Sequence, residues 1–409
     1  LSPIMANGSW PKHVYCRRYL RAMPTSLNNR WRYFFFLLIA GCVGLYSFVP
    51  GSWRMPFWGF YGHRLINRTA VYTLPEEMYP LYKQEIDYIT EHAVDPDKRR
   101  YAVIGEAARH YIDLDHWGKK PFPDLPRSWL PAFIGKNTIE LLDEKGEVLD
   151  AFPSLDSFIV RYPGTASFIT SEAARHLSDE IWLLDSWPDS LQIGKTASWQ
   201  INNELMAHGV VPYFIPLEYH RLVKAFLDND PKQVLRLSAD LGHYIADAHV
   251  PLHTTMNYNG QMTDQVGIHA FWESRIPELF AETQYDFLVG KAEYIRDINK
   301  FAWEVVMESN SFVDSVLQIE KRLSREIPED EQYCFEERLS QIVRLPCAAY
   351  AAQYQQSLDG MVEARMQQSI MAVGSVWYSA WVDAGQPDLR DYLSINWDAR
   401  DREADEWLD

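Results

Sequence analysis

Positive charge is scarce in this chain once its first 57 residues are passed. Those residues hold seven lysines and arginines and no acid, which leaves 32 basic against 56 acidic residues in the remainder, a balance of −24. The electrostatic footprint for duplex nucleic acid is basic, so sequence-independent binding of duplexes is not expected. Cysteine is scarce too, with four among 409 residues. Cys16 and Cys42 lie in the N-terminal region, so Cys334 and Cys347 are left to form either one disulfide or a buried free pair. Also missing are a Walker loop, a dinucleotide fingerprint, a nucleophile elbow and any internal repeat, which removes the chemistries those motifs carry. Disorder is excluded by a hydrophobic content of 47%, and 15 Trp with 23 Tyr point to amphipathic aromatic faces in a core that a chain of this length can build.

The basic start reads as an export segment. Arg30 and Arg32 precede the uncharged run Tyr33–Val49, the layout of a signal or a single-span anchor, and Ile39-Ala40-Gly41-Cys42 is similar to a lipobox whose Cys would be lipidated. All three versions place the body outside the cytoplasm, as a secreted, periplasmic or surface-attached protein. Residues 1–57 are therefore assigned to export or attachment, 58–397 to one all-helical domain and 398–409 to an acidic tail. Helical periodicity covers Tyr61–Leu74, Tyr79–His92, Val313–Arg325 and Gln353–Trp381. Residues 117–190, with Pro121, Pro123, Pro126, Pro131 and Lys145-Gly146, read as an irregular insertion that is a lid or a short hairpin.

Chemistry concentrates between Ser238 and Glu273. Four of twelve histidines lie there, and two precede a carboxylate by four residues: His243 with Asp247 and His269 with Glu273. On a helix that spacing stacks imidazole and carboxylate on one face, where both can grip one ion. Asp230 and Pro231 read as N-cap and first position of a helix carrying Leu235, Leu241, Tyr244, Ile245 and Ala248, with Pro251 breaking the pattern. The Pro251-Leu252-His253 turn and a polar loop, Asn257–Gln261, can bring a third imidazole to the same cleft. Upstream, Trp58-Gly59-Phe60-Tyr61-Gly62-His63, Asp95 and Arg109-His110-Tyr111 supply further donors. His249 reads as off the ligand face, Asp113, Asp115 and His116 as supporting groups, and His92, His176, His208 and His220 as having no constellation. The charged run Asp97-Lys98-Arg99-Arg100 reads as solvated surface.

Taken in order, these motifs resemble the zinc-dependent phospholipase C and fungal-type single-strand nuclease superfamily over residues 58 to 280. The resemblance implies an all-α, multi-helix domain and a cleft with two to three zinc ions. By position it implies one ion on Asp95, His110, His243 and Asp247, a second on His253, His269 and Glu273, and a third on Trp58, His63 and a bridging Asp247. It further implies Asp95 and Asp247 as catalytic groups, with Lys98 near the phosphate and Tyr111 stacked on a base. Because Trp58 is internal, its amine would require cleavage after Phe57, where Met55 and Phe57 are poor for a signal peptidase.

Donor sets of imidazole and carboxylate without thiolate suit zinc and leave open positions for water and phosphate. The expected function is a zinc-dependent phosphodiesterase that cuts P–O bonds with a water activated between metals. Its expected substrates are a phospholipid head group or single-stranded nucleic acid. Glu273 and the short 253–269 gap resemble the phospholipase branch. The alternatives are a metal-binding surface protein without turnover and a metallohydrolase of another bond.

Overall fold

The computed structural model describes residues 60–103, 105–178, 198–338 and 341–394. The export segment with Cys42, the indole of Trp58 and the acidic tail lie outside the described residues. Among the described residues, no helix is long and apolar enough to cross a membrane.

One helix sits at the centre. It runs Pro231–Ala248, with Pro231 in its first turn and the Asp230 carboxylate accepting from Gln233 N at 3.1 Å, the cap read from sequence. Of its last fifteen residues only Arg236 is not fully buried. A helix buried all round needs neighbours on every side. These are, in chain order, α1 (Phe60–Ala70), α3 (Val211–Leu227), α5 (Ile298–Ser311) and α6 (Met361–Asp383), with the central helix as α4 and a short α2 at Asp95–Arg99. Hydrogen bonds from outside fix α4 by its backbone and side chains: Trp377 Nε1 donates to Ser238 O at 2.9 Å, Asn67 Nδ2 to Ala239 O at 3.0 Å, and Tyr82 shares a bond with Ser238 Oγ at 2.8 Å.

Helix α1 is wedged between α4 and α6, and two glycines make the room. A Cβ on Gly242 of α4 would lie 2.1 Å from Asn67 Oδ1, and one on Gly374 of α6 would lie 1.9 Å from Thr73 Oγ1. The buried positions of α1, His63, Ile66, Asn67 and Ala70, fall at helical spacing, so the stripe that packs also carries a histidine inward.

The fold is mainly α, and the all-α expectation is corrected by five short strands among the described residues. The segment expected to be irregular is instead built of regular elements: besides helices at Trp129–Lys136, Leu155–Arg161 and Ala166–Ser178, β1 (Thr138–Leu142) pairs antiparallel with β2 (Val148–Phe152) across a turn in which Gly146 takes φ +80°. On its other edge β1 pairs antiparallel with β3 (Ser198–Asn202). The hairpin alternative is the one adopted. A second hairpin, β4 (Tyr333–Arg338) with β5 (Gln341–Pro346), falls where long helices were expected, and a Cys334–Cys347 disulfide with Cα atoms 4.9 Å apart ties its open end. The expected helix 353–381 is broken, because Asp359 (φ +50°) and Gly360 (φ +76°) form a left-handed turn before α6. The expected 79–92 helix is likewise two, Tyr79–Gln84 and Ile86–Glu91.

Candidate metal centre

Seven separate backbone positions converge on the C-terminal half of α4. His243 and Asp247 project from one face of that helix, and α1 contributes His63. His110 closes the 3₁₀ turn Glu106–His110, and His253 sits in the 3₁₀ turn Pro251–Thr254 that Pro251 starts. His269 lies on the turn Ile268–Ala270, and Glu273 on the π-helical segment Phe271–Arg275, a wide turn of the kind that often re-aims a side chain at a functional site.

Three donor groups form a chain linked by two carboxylates. In the first, Asp247 Oδ2 lies 2.8 Å from His110 Nδ1 and 3.2 Å from His243 Nε2. In the second, His63 Nε2 stands 3.5 Å from Asp247 Oδ1 and 3.3 Å from Glu273 Oε1. In the third, Glu273 Oε2 lies 2.7 Å from His269 Nε2 and 3.3 Å from His253 Nε2. Asp247 and Glu273 therefore each divide their oxygens between two groups. The bridging role of Asp247 was expected; that of Glu273 was not.

The residues fit a metal on two counts. Two ligands about 2.1 Å from a tetrahedral ion are about 3.4 Å apart, and four of the six separations above, 3.2–3.5 Å, match that, the other two being 2.7 and 2.8 Å. Backbone carbonyls set the tautomers: Ala93 O accepts from His243 Nδ1 and His110 O accepts from His253 Nδ1, both at 2.8 Å, which leaves each Nε2 a lone pair facing the cluster.

Electrostatics keep the set in a ligating state. Burial pushes the His110 imidazole well below its ordinary pKa, with the neighbouring His243 adding to it, and burial also lowers His243. Burial works against ionisation of Glu273, yet His269 and His253 hold its carboxyl well below the usual range. Asp247 goes the other way, pushed up to about 7 by burial. Neutral His110 and His243 beside Asp247, whose charge burial disfavours, are the combination that a cation completes.

Asp95 is not in this cluster. Its carboxylate takes His92 Nδ1 at 2.5 Å and Lys98 Nζ at 2.8 Å, which also accounts for Lys98. Two residues on, Asp97 is the acid that turns inward, with Oδ1 3.9 Å from His110 Nδ1 and 4.0 Å from His243 Nε2, and it forms a donor group with His63 and His243. Positions two apart on α2 differ by about 200°, so only one of the two acids can face the imidazoles. Burial opposes ionisation of Asp97, but His243 and His63 hold its carboxyl below the ordinary value, and Arg100 Nη1 pairs with it at 3.2 Å. The charged run is thus not plain surface, for Arg99 also reaches in to Asp240 at 3.0 Å. Tyr111 is half-buried, its hydroxyl donating to Ala207 O at 3.2 Å. His249 is satisfied by the Ile245 carbonyl at 2.7 Å, as its place off the ligand face implied. Sequence offered one signal for Asp97, the acid itself, but nothing to separate it from Asp95.

The cluster opens at one end. His243 and Asp247 are buried, whereas the His269 side chain is 26% exposed and faces Tyr258 at 5.8 Å between ring centroids. The loop following His253 exposes Tyr258, which faces His269, and also Met262 and Val266. No family model matches this chain, and no curated protein matches it. Fold and site together define a mainly helical protein with a histidine and carboxylate cluster able to hold a metal ion.

Proposed function

We propose that the cluster holds two to three zinc ions and that the protein is a zinc-dependent phosphodiesterase. The observation that carries this reading is the division of the Asp247 and Glu273 oxygens among three adjacent donor groups, which would let two carboxylates be shared by neighbouring cations. Bound zinc would supply Lewis-acid polarisation of a phosphoryl oxygen and a lowered pKa for water. The chain's own part is positional. His110, His243 and Asp247 hold the inner group, His253, His269 and Glu273 the outer one, and His63 with both bridging acids the group between. Asp97 takes the place expected for Asp95, as an ionised carboxylate able to accept a proton at Oδ1, and Arg100 orients it.

Two features support a phospholipid head group as substrate over a nucleic-acid strand. The acidic body repels a polyanion, and the loop that exposes Tyr258, Met262 and Val266 offers apolar contact, with Tyr258 beside the open end. Changing all three to Ser is expected to lower turnover of phosphatidylcholine vesicles by roughly tenfold or more while leaving a soluble aryl phosphodiester unaffected. Cleavage of single-stranded DNA at fixed salt with zinc present, and no lipid turnover, would overturn the lipid assignment. Turnover of none of the three would favour a metal protein without this activity.

A further inference from the structure

A second group of metal donors lies outside the cluster, on residues that sequence reading left without a ligand role. His116 and His208 stack face to face, with ring centroids 3.3 Å apart and planes 14° from parallel. Glu204 Oε2 lies 4.0 Å from His116 Nε2 and 3.9 Å from His208 Nε2, so two imidazole nitrogens and one carboxylate oxygen lie close enough together to share one ion. The other nitrogen of His208 is committed, since Nδ1 stands 3.0 Å from Asp113 Oδ2. That carboxylate fixes the tautomer with the proton on Nδ1 and the lone pair on Nε2, the arrangement seen where a carboxylate supports a metal-bound histidine.

The backbone under these side chains is held on both sides. Asp113 N donates to His208 O at 2.7 Å and Val211 N to Tyr111 O at 3.1 Å, while Gly209, at φ +84°, sits where a Cβ would come within 2.2 Å of Tyr111 O. The Asp115 carboxylate accepts from Thr255 Oγ1 at 2.7 Å and Met256 N at 2.9 Å, which anchors the turn Leu114–Trp117 that presents His116. Glu204 starts the turn Glu204–Ala207 directly after β3, capped by Asn203. The three donors therefore come from two segments that are already pinned, and the carboxylate end of Glu204, 43% exposed, is the part free to swing.

We propose that His116, His208 and Glu204 form a further binding site for a borderline divalent cation, zinc above all, with Asp113 as the positioning carboxylate for His208. Two imidazoles and one carboxylate suit zinc rather than magnesium or calcium, which prefer all-oxygen shells. The separations of 3.9–4.0 Å exceed the ligand spacing around a tetrahedral ion by about half an ångström, and binding requires the exposed glutamate to change rotamer and the 32% exposed His116 ring to rotate out of its stack on His208 so that both lone pairs meet the ion. Three protein donors leave the fourth position to water on the solvent side. A bound ion here clamps the segment following β3 onto the 110–117 segment that also delivers His110 to the main cluster.

The site is counted separately from the main one. Full-length protein stripped with chelator, reloaded with zinc and desalted is expected to hold one ion fewer by elemental analysis in His208→Ala and in Glu204→Gln than in wild type. His243→Ala is expected to lose ions from the main cluster while keeping this one, so failure of either site is read independently. Asp113→Asn is expected to weaken the site about 10- to 100-fold without abolishing it. Unfolding of a variant would be bypassed by wild-type protein alone: the exposed His116 ring is expected to react with diethyl pyrocarbonate in chelator and to be protected by zinc, read by peptide mass. An unchanged zinc count in both variants, or equal labelling of His116 with and without zinc, overturns the proposal.

Discussion

Asp97 and Asp95 sit two positions apart on one turn of helix and do different things. Asp95 is occupied by His92 and Lys98, and Asp97 faces His63, His110 and His243. A substitution that keeps shape and removes charge separates them. Asp97→Asn is expected to weaken zinc binding by about tenfold or more, and Asp95→Asn to leave it within error, both read by competition with a chromophoric chelator. The reverse order would restore the ligand assignment that the resemblance implied. This is also the limit of what residue spacing can tell. The i,i+4 pairs were legible because helical geometry alone puts both members on one face, whereas the acid upstream of His110 depends on how a five-residue helix is rotated, which tertiary packing sets. His208 was only half legible: Glu204 precedes it by four residues, but His116 lies on a segment that meets the pair only in space.

At the scale of elements, the site depends on how closely α1 approaches α4. Asn67 lies one turn beyond His63 on α1 and fills the notch that Gly242 leaves on α4, one residue before His243. Gly242→Ala places a methyl group 2.1 Å from Asn67 Oδ1, and Asn67 is held by its bond to Ala239 O and is fully buried. The expected cost is about 1–3 kcal/mol in denaturant unfolding, accompanied by loss of the ion that uses His63, because α1 must move away as a body. A stability loss with metal content intact would show that the helix accommodates the methyl group without shifting His63. The central helix and its caps were readable from sequence. The β4–β5 hairpin was not, since Tyr333–Arg338 runs Tyr-Cys-Phe-Glu-Glu-Arg, without the alternation of apolar and polar residues that marks a strand, and its disulfide closure was only one of two open alternatives.

For the whole molecule, buried titratable groups tie stability to pH. Burial, with Arg365 nearby, pushes His249 down to about 3, and burial lowers His110 and His243 as well. Each binds a proton readily when unfolded, with an ordinary pKa of about 6.5, and resists it when folded. The unfolded chain therefore takes up more protons below that pH, so the metal-free protein loses stability as pH falls from about 6.5 toward 4. Asp247, raised to about 7, acts in the opposite sense over part of the same range, since the folded state keeps its proton longer, and it offsets only one of the three imidazoles. His249→Gln removes one contributor that ligates nothing and is expected to flatten the profile by on the order of a few kcal/mol at pH 4, read as thermal midpoints in chelator. A wild-type profile that rises toward acid would mean Asp247 dominates.

The central claim is that one buried cluster holds zinc through two bridging carboxylates, and metal content tests it most directly. Elemental analysis of full-length protein, reloaded with zinc and desalted, is expected to give two to three ions in the cluster beyond the one assigned to His116, His208 and Glu204. In Asp247→Ala, where two donor groups lose their shared acid, at least two cluster ions are expected to be lost, whereas His220→Ala, an exposed residue away from the donors, should match wild type. Fewer than one ion in the wild-type cluster, or equal losses in both variants, would contradict the account.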